Sequence, residues 1–262
     1  MNNLETSKAI GVFDSGIGGL TVLRELICEC PNEDFIYIGD DANSPYGEKS
    51  ADQIQQLSLD VIRKQEFSDI KALVIACNTI TAAAYDVIVQ NSNVPVIGVV
   101  ESGVNAALES TKNNKIGILA TTATVKSGVY DKALKAGNGD VAITSVAAPK
   151  LHQLAENHLD KILVDPSEDV YKLVEEHTQA FIDSGCDTII LACTHFPPYS
   201  KIISSIVGDQ VNLVDPSQNT AKSLAKLLAE KGISNEGEGS YKIISTAGSD
   251  DKYKEFSKLI LG

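Results

Sequence analysis

Two stretches of the chain end an apolar run in Ala-Cys and follow it with a threonine. They are VIACNTITA, from Val74 to Ala82, and ILACTHFPP, from Ile190 to Pro198. Cys77 comes after ALVIA and before NTITAAAY, which reads as a helix, so its thiol is expected at a strand's carboxyl end against a helix N-terminus. The positive end of a helix dipole favours a thiolate over a thiol. Asn78 and Thr79 offer an amide and a hydroxyl at the same mouth. Cys193 repeats the arrangement after TIILA, with Thr194 and His195 alongside. Either cysteine alone reads equally well as a small buried hydrophobe. Matched placement with polar neighbours favours chemistry.

Other groups belong to the same kind of place. DSGIGGLTVLREL (14–26) puts Asp14 at the end of the first strand, followed by a glycine-rich turn into a helix. Such a turn exposes backbone N–H groups to an anion. It is not a phosphate-binding P-loop, and Thr21 stands where a dinucleotide fingerprint has its third glycine. Asp14 is a candidate for orienting a thiol. Pro45, Tyr46 and Gly47 form an expected rim, with Tyr46 as an apolar wall carrying a hydroxyl. Thr121, Thr122 and Thr124 cluster at a strand-to-helix junction; capping explains one, and three suggest a hydroxyl-lined anion pocket. Two thiols across a small anion site suit inversion of a stereocentre beside a carboxylate. One removes a proton from one face and the other delivers a proton to the opposite face. Their environments must then hold one as thiolate and one as thiol, with Asp14 and His195 as helpers.

The elements that must carry these groups are short Val/Ile-rich runs separated by amphipathic stretches. The runs are 9–13, 35–39, 72–76, 94–100, 115–120, 141–147, 188–192, 211–214 and 241–246. Runs apolar at nearly every position suit parallel strands buried on both faces. Ser50 and Gln53 predict a capping box at a helix start. A second helix is expected from about Pro166 to Ser184, with Gly185 just past its end. Strand–helix alternation gives an α/β fold with ligands beyond the strands' carboxyl ends. A weak internal repeat relates IGVFDSG (10–16) to IGILATT (116–122), LVIACNT (73–79) to IILACTH (189–195), and VPVIGVVES (94–102) to VNLVDPS (211–217). Two similar α/β lobes with mostly parallel sheets are therefore expected, residues 1–97 plus 212–262 and residues 98–211, with a ligand cleft between them.

Composition narrows the classes. The chain has 262 residues, 43% of them hydrophobic and 22% charged, enough for a substantial core. No apolar run is long enough to span a membrane, and residues 1–9 lack the apolar core of a secretory signal, so the cytoplasm is expected. The net charge is −13, and no basic stripe marks a nucleic-acid surface. An anionic substrate must be held by local N–H groups, hydroxyls and helix termini rather than by the general field. Five cysteines in a chain of this size argue against a disulfide framework. Cys28, Cys30 and Cys186 read as structural.

The chain resembles the bacterial glutamate racemases of the cofactor-independent aspartate/glutamate racemase superfamily. The matching segments are FDSGIGGLTVL, YIGDDANSPYG, VIACNTITA, VIGVVESG, ATTATVKSGVY, LACTHFPP and LVDPSQNTA, in the family's order. The resemblance implies interconversion of L- and D-glutamate, supplying D-glutamate to peptidoglycan, with no cofactor or metal. It implies Cys77 and Cys193 as catalytic acid/bases assisted by Asp14 and His195. It implies substrate contacts from Ser15, Pro45, Tyr46, Gly47, Asn78, Thr79, Thr121, Thr124 and Thr194. A family carboxylate seven residues after a proline falls on Glu156, after Pro149, although His152-Gln153 replaces a more apolar stretch. A homodimer is implied by the resemblance alone. An aspartate racemase is the alternative within the superfamily. A zinc hydrolase using Cys77, Cys193, His195 and Asp14, and a non-catalytic binding protein, are the alternatives outside it.

Overall fold

The computed structural model describes residues 3–262 and divides into two compact units, Met1–Val99 with Ser217–Gly262, and Val100–Pro216. In the first, strands β1 (Ala9–Asp14), β2 (Phe35–Gly39), β3 (Ile70–Ile75), β4 (Val96–Gly98) and β9 (Tyr241–Ser245) form one sheet in the order β4-β3-β1-β2-β9. In the second, β5 (Lys115–Ala120), β6 (Ala142–Ala147), β7 (Thr188–Ala192) and β8 (Asn212–Val214) form a sheet in the order β6-β5-β7-β8. Every pairing in both sheets is parallel.

The apolar runs are continuous because each central strand has cover on both faces. On β7, Ile189 and Leu191 join a cluster with Leu151, Val174, Phe181 and Ile202. Ile190, pointing the other way, joins Val104, Ile118, Tyr130 and Leu134. Strand alternation puts successive side chains on opposite faces, so a strand between two helical layers must be apolar throughout. In the first unit the corresponding cluster includes Phe13, Ile38, Leu73, Ile75, Ile80 and Ile88.

The repeat read from sequence is also a repeat of topology. Reading β1 onto β5, β2 onto β6, β3 onto β7 and β4 onto β8 turns the order β4-β3-β1-β2 into β8-β7-β5-β6. Strand β9 is an addition to the first sheet, paired with β2 from Phe35↔Tyr241 to Gly39↔Ser245. This correspondence corrects the expected division at 211/212. β8 hydrogen-bonds to β7 as β4 does to β3, so it stays in the second unit, and the chain leaves that unit after Pro216.

Two local expectations also change. The run 94–100 supplies a strand only over Val96–Gly98, because β4 pairs solely with Leu73–Ile75 and Val99 already begins the helix Val99–Ser110. The helix expected from Pro166 starts at Glu168, with Ser167 at its N-cap, and closes on Gly185 at φ 68°. Pro166 thus precedes the helix rather than opening it. The capping box at Ser50 forms as read: the Ser50 hydroxyl accepts from Gln53 N, and the Gln53 side chain accepts from Ser50 N.

Candidate active site

In the first unit, three neighbouring strands deliver the candidate residues to one edge. Asp14 ends β1 opposite Gly39 of β2, and Cys77 lies just beyond β3 on the other side. Asp14 is fully buried, and its Oδ1 accepts from Gly16 N at 2.9 Å, so the carboxylate itself takes up one N–H of the glycine-rich turn. Gly19 is required by close approach: a Cβ there would lie 2.5 Å from Asp14 Cβ and 2.7 Å from Tyr37 Oη. Cys77 is the N-cap of the helix Asn78–Asn91, as expected, and its carbonyl accepts from both Thr81 N and Thr81 Oγ1. The Cys77 Sγ lies 3.4 Å from Ser15 Oγ. Asn78 and Thr79 are buried in the first turn of that helix.

The rim role of Tyr46 does not survive. Its side chain is buried among Phe13, Ile38, Ile54 and Cys77, and its hydroxyl donates to Asp40 Oδ2 at 2.5 Å. Burial, the bond to Asp40 and the charge of that carboxylate push the phenol far above its usual range. Pro45 is exposed and Gly47 half-buried beside it. The aromatic ring therefore packs in the core beside Cys77 rather than standing exposed at a rim.

In the second unit, β6, β5 and β7 end in register at Ala147, Ala120 and Ala192. The residues that follow meet at one edge. After β5, Thr121 caps the helix Thr122–Ser127 by accepting from Thr124 N, and its hydroxyl donates to Thr124 Oγ1 at 3.0 Å. Two of the three threonines thus form a cap, which accounts for more of the cluster than the expected pocket allowed. After β7, Cys193 occupies a turn in which its carbonyl accepts from Phe196 N, and the next α-helix begins only at Ser200. The expected helix N-terminus at this thiol is absent. Its electrostatic partner is a histidine instead.

His195 Nδ1 lies 3.9 Å from Cys193 Sγ, and His195 Nε2 lies 2.6 Å from Glu156 Oε2. Burial opposes the imidazolium, but the hydrogen bonds to Cys193 and Glu156, together with their charges, prevail and push His195 up to about 10. A charged His195 bridging a carboxylate and a sulfur can stabilise thiolate or return a proton to it. Glu156, on the helix Pro149–Asn157, is thereby joined to the site, and so is His152 one turn before it. The His152 and His195 rings are 4.2 Å apart, centroid to centroid. His152 was missed as a site residue. The signal was its i,i+4 spacing to Glu156, which puts both on one helix face.

Of the cysteines read as structural, Cys30 and Cys186 are buried, whereas Cys28 is exposed on its helix and has no core role. Cys30 is buried, and burial with nearby Glu33 and Glu29 pushes its thiol up to about 11. Cys186 is buried in the second core. The zinc alternative drew on Cys77, Cys193, His195 and Asp14. Among the described residues the metal-capable side chains that gather are His152, Cys193 and His195.

A family model for Asp/Glu/hydantoin racemases matches residues 11–224, a span containing every residue singled out above. The chain belongs to the Asp/Glu/hydantoin racemase family. As a racemase-family enzyme it is an isomerase. It is 37% identical over 260 residues to the glutamate racemase of Bacillus cereus, covering 99% of this chain and 95% of that protein. The glutamate racemase isoform RacE1 of Bacillus anthracis superposes with a TM-score of 0.90 at 33% identity, covering 97% of this chain and 93% of that one. The glutamate racemase of Francisella tularensis, solved with D-glutamate, superposes with a TM-score of 0.87 at 33% identity, covering 98% and 94%. Among the described residues of this racemase-family chain, no helix is long and apolar enough to cross a membrane.

Proposed function

We propose that this protein interconverts L- and D-glutamate without a cofactor, with Cys77 and Cys193 as the two acid/bases, one for each face of Cα. One cysteine as thiolate takes the Cα proton and becomes a thiol. The other, starting as thiol, gives its proton to the opposite face and becomes the thiolate. The product is the mirror-image amino acid, and the two sulfurs have exchanged states, ready for the reverse direction. What carries this reading is the duplicated placement: in each unit the strand beside the central β1 or β5 leads into a buried thiol with buried polar neighbours, Asn78 and Thr79 at Cys77 and Thr194 and His195 at Cys193. Membership of a racemase family, with glutamate as the substrate named for its relatives, supports it.

In this reading the two thiols are served differently. Cys77 draws on the N-terminus of its helix, with Ser15 against its sulfur and Asp14 on the neighbouring strand. Cys193 draws on His195, which Glu156 holds charged. Ser15, Asn78, Thr79, Thr121, Thr124, Thr194 and the backbone of 45–47 hold the substrate's ammonium and carboxylates. The enzyme works in the cytoplasm as a homodimer and supplies D-glutamate to peptidoglycan.

The test is circular dichroism of L-glutamate, and separately L-aspartate, incubated with protein dialysed against chelator. Glutamate should lose its signal, aspartate should keep it, and in D2O the product should carry deuterium at Cα. Turnover that appears only on adding pyridoxal phosphate or a metal would refute the two-thiol reading.

A further inference from the structure

The side chains of His152, Cys193 and His195 place three metal-ligating atoms within 4.8 Å of one another, all in the second unit. Cys193 and His195 are buried, and His152 is half-buried on the helix Pro149–Asn157. We propose that these three residues form a binding site for a borderline transition-metal ion, Zn2+ foremost, and that its occupancy reversibly blocks Cys193.

The donor set is the first reason. Two imidazoles and one thiolate are ligands zinc accepts, and three protein ligands leave a fourth position for water or substrate. Tetrahedral ligands at zinc distances of about 2.0–2.3 Å stand roughly 3.5 Å apart, so only small side-chain rotations separate the present arrangement from a closed one. His195 Nδ1 and Cys193 Sγ are already 3.9 Å apart.

The second reason is the support behind His195. Its Nε2 is held by Glu156 at 2.6 Å while its Nδ1 faces the sulfur. Metal-ligating histidines characteristically give their other ring nitrogen to a carboxylate, which fixes the tautomer and raises the ligand's basicity. Glu156 fills that place. Charge agrees as well: Zn2+ takes the place of the proton on His195 Nδ1, which is released to solvent, and Zn2+ with one thiolate and two neutral imidazoles is a monocation that Glu156 neutralises. A chain carrying −13 overall concentrates cations near its surface.

The consequence for activity rests on the racemase reading, because a metal on Cys193 removes the lone pair that reading needs. Binding itself does not rest on it. The test is titration of the full chain with Co2+, then Zn2+, read by absorption and by turnover on glutamate. One Co2+ per chain should give a thiolate charge-transfer band and the intense d–d bands of a four-coordinate site, and Zn2+ should displace it. Cys193→Ser should remove the charge-transfer band. His152→Leu and His152→Gln, checked for native circular dichroism, should each weaken Zn2+ binding about tenfold or more through loss of one of three ligands. Zn2+ should inhibit the wild type, chelator should restore it, and the His152 variants should need about tenfold more Zn2+ for the same inhibition. The proposal is overturned if the wild type shows no charge-transfer band, if the band persists in Cys193→Ser, if both His152 variants bind as tightly as wild type, or if saturating Zn2+ leaves turnover unchanged. Metal bound with the expected spectrum to a protein that turns over no glutamate would uphold the site and refute the racemase reading instead.

Discussion

At the scale of single residues, the two thiols have matched positions and different supports. Inversion needs both a base and an acid, so Cys77→Ala and Cys193→Ala should each abolish racemisation of glutamate in both directions. If the two thiols act as proposed, each variant keeps one base on one face. Each should therefore still eliminate from a β-leaving-group analogue of one enantiomer, and the two variants should choose opposite enantiomers, as chiral chromatography of the residual substrate would show. A single variant that racemises at near wild-type rate would return its cysteine to a core role. The Cys193 side makes a second prediction. Glu156 and Cys193 hold His195 charged up to about 10. The imidazolium is the form present below that value, so a step that uses it fails as pH rises through it. Glu156→Gln removes a negative charge and an acceptor, which lowers the value. The alkaline limb of the kcat/KM profile should then move toward neutral pH by roughly one unit or more. An unmoved limb in Glu156→Gln would mean that the 2.6 Å contact leaves the reacting proton unaffected.

At the scale of elements, the strand-to-helix turns do the positioning. The turn after β1 is wound against its own strand: Asp14 accepts from Gly16 N, and Tyr37 of β2 donates to Gly16 O at 2.6 Å. Gly19 sits inside this winding with no room for a side chain. Gly19→Ala should push on Asp14 and Tyr37, with an overpacking cost of about 1–3 kcal/mol. Thermal denaturation should show the loss, and activity should fall further than stability alone explains, because Asp14 is displaced. A stable Gly19→Ala protein with full activity would show that the turn tolerates what its geometry forbids.

At the scale of the whole molecule, the first unit is built from both ends of the chain. Strand β9 returns to pair with β2, and a buried ion pair fastens the join. Lys71 of β3 pairs with Glu33, and its Nζ donates to Thr6 O at 2.7 Å and Ile233 O at 2.9 Å, while Glu33 accepts from Asn235 N at 2.7 Å. Both side chains are almost wholly buried. Lys71→Met leaves the Glu33 charge buried without its partner, and breaking such a pair costs about 3–5 kcal/mol. Urea denaturation should show a loss of that size, part of it recovered in Lys71→Met/Glu33→Gln. A loss below 1 kcal/mol by the same measurement would mean that Glu33 finds other solvation.

The sequence by itself determined what depends on local pattern. Val/Ile-rich runs mark the nine strands of the described residues, and in β1, β3, β5 and β7 the continuous run corresponds to burial on both faces; Ser50 with Gln53, and Gly185, mark helix ends through bonds made within a few residues. The strand-end placement of Asp14, Cys77 and Cys193 follows from the same patterns, as does the repeat. Tertiary structure decided what depends on partners distant in the chain. VNLV has no local mark of the sheet it will join, so the assignment of β8 to β7 waited on pairing. Tyr46 is an apolar ring with a hydroxyl, equally suited to a rim or a core, and Asp40 with the surrounding side chains made it core. Cys193 has the same flanking pattern as Cys77, but the turn after β7 delays its helix to Ser200, and the group beside its sulfur is a histidine held by a glutamate 39 residues away. Hydrogen bonds and ion pairs act over a few ångströms of space, and only folding brings residues so distant in sequence within that range.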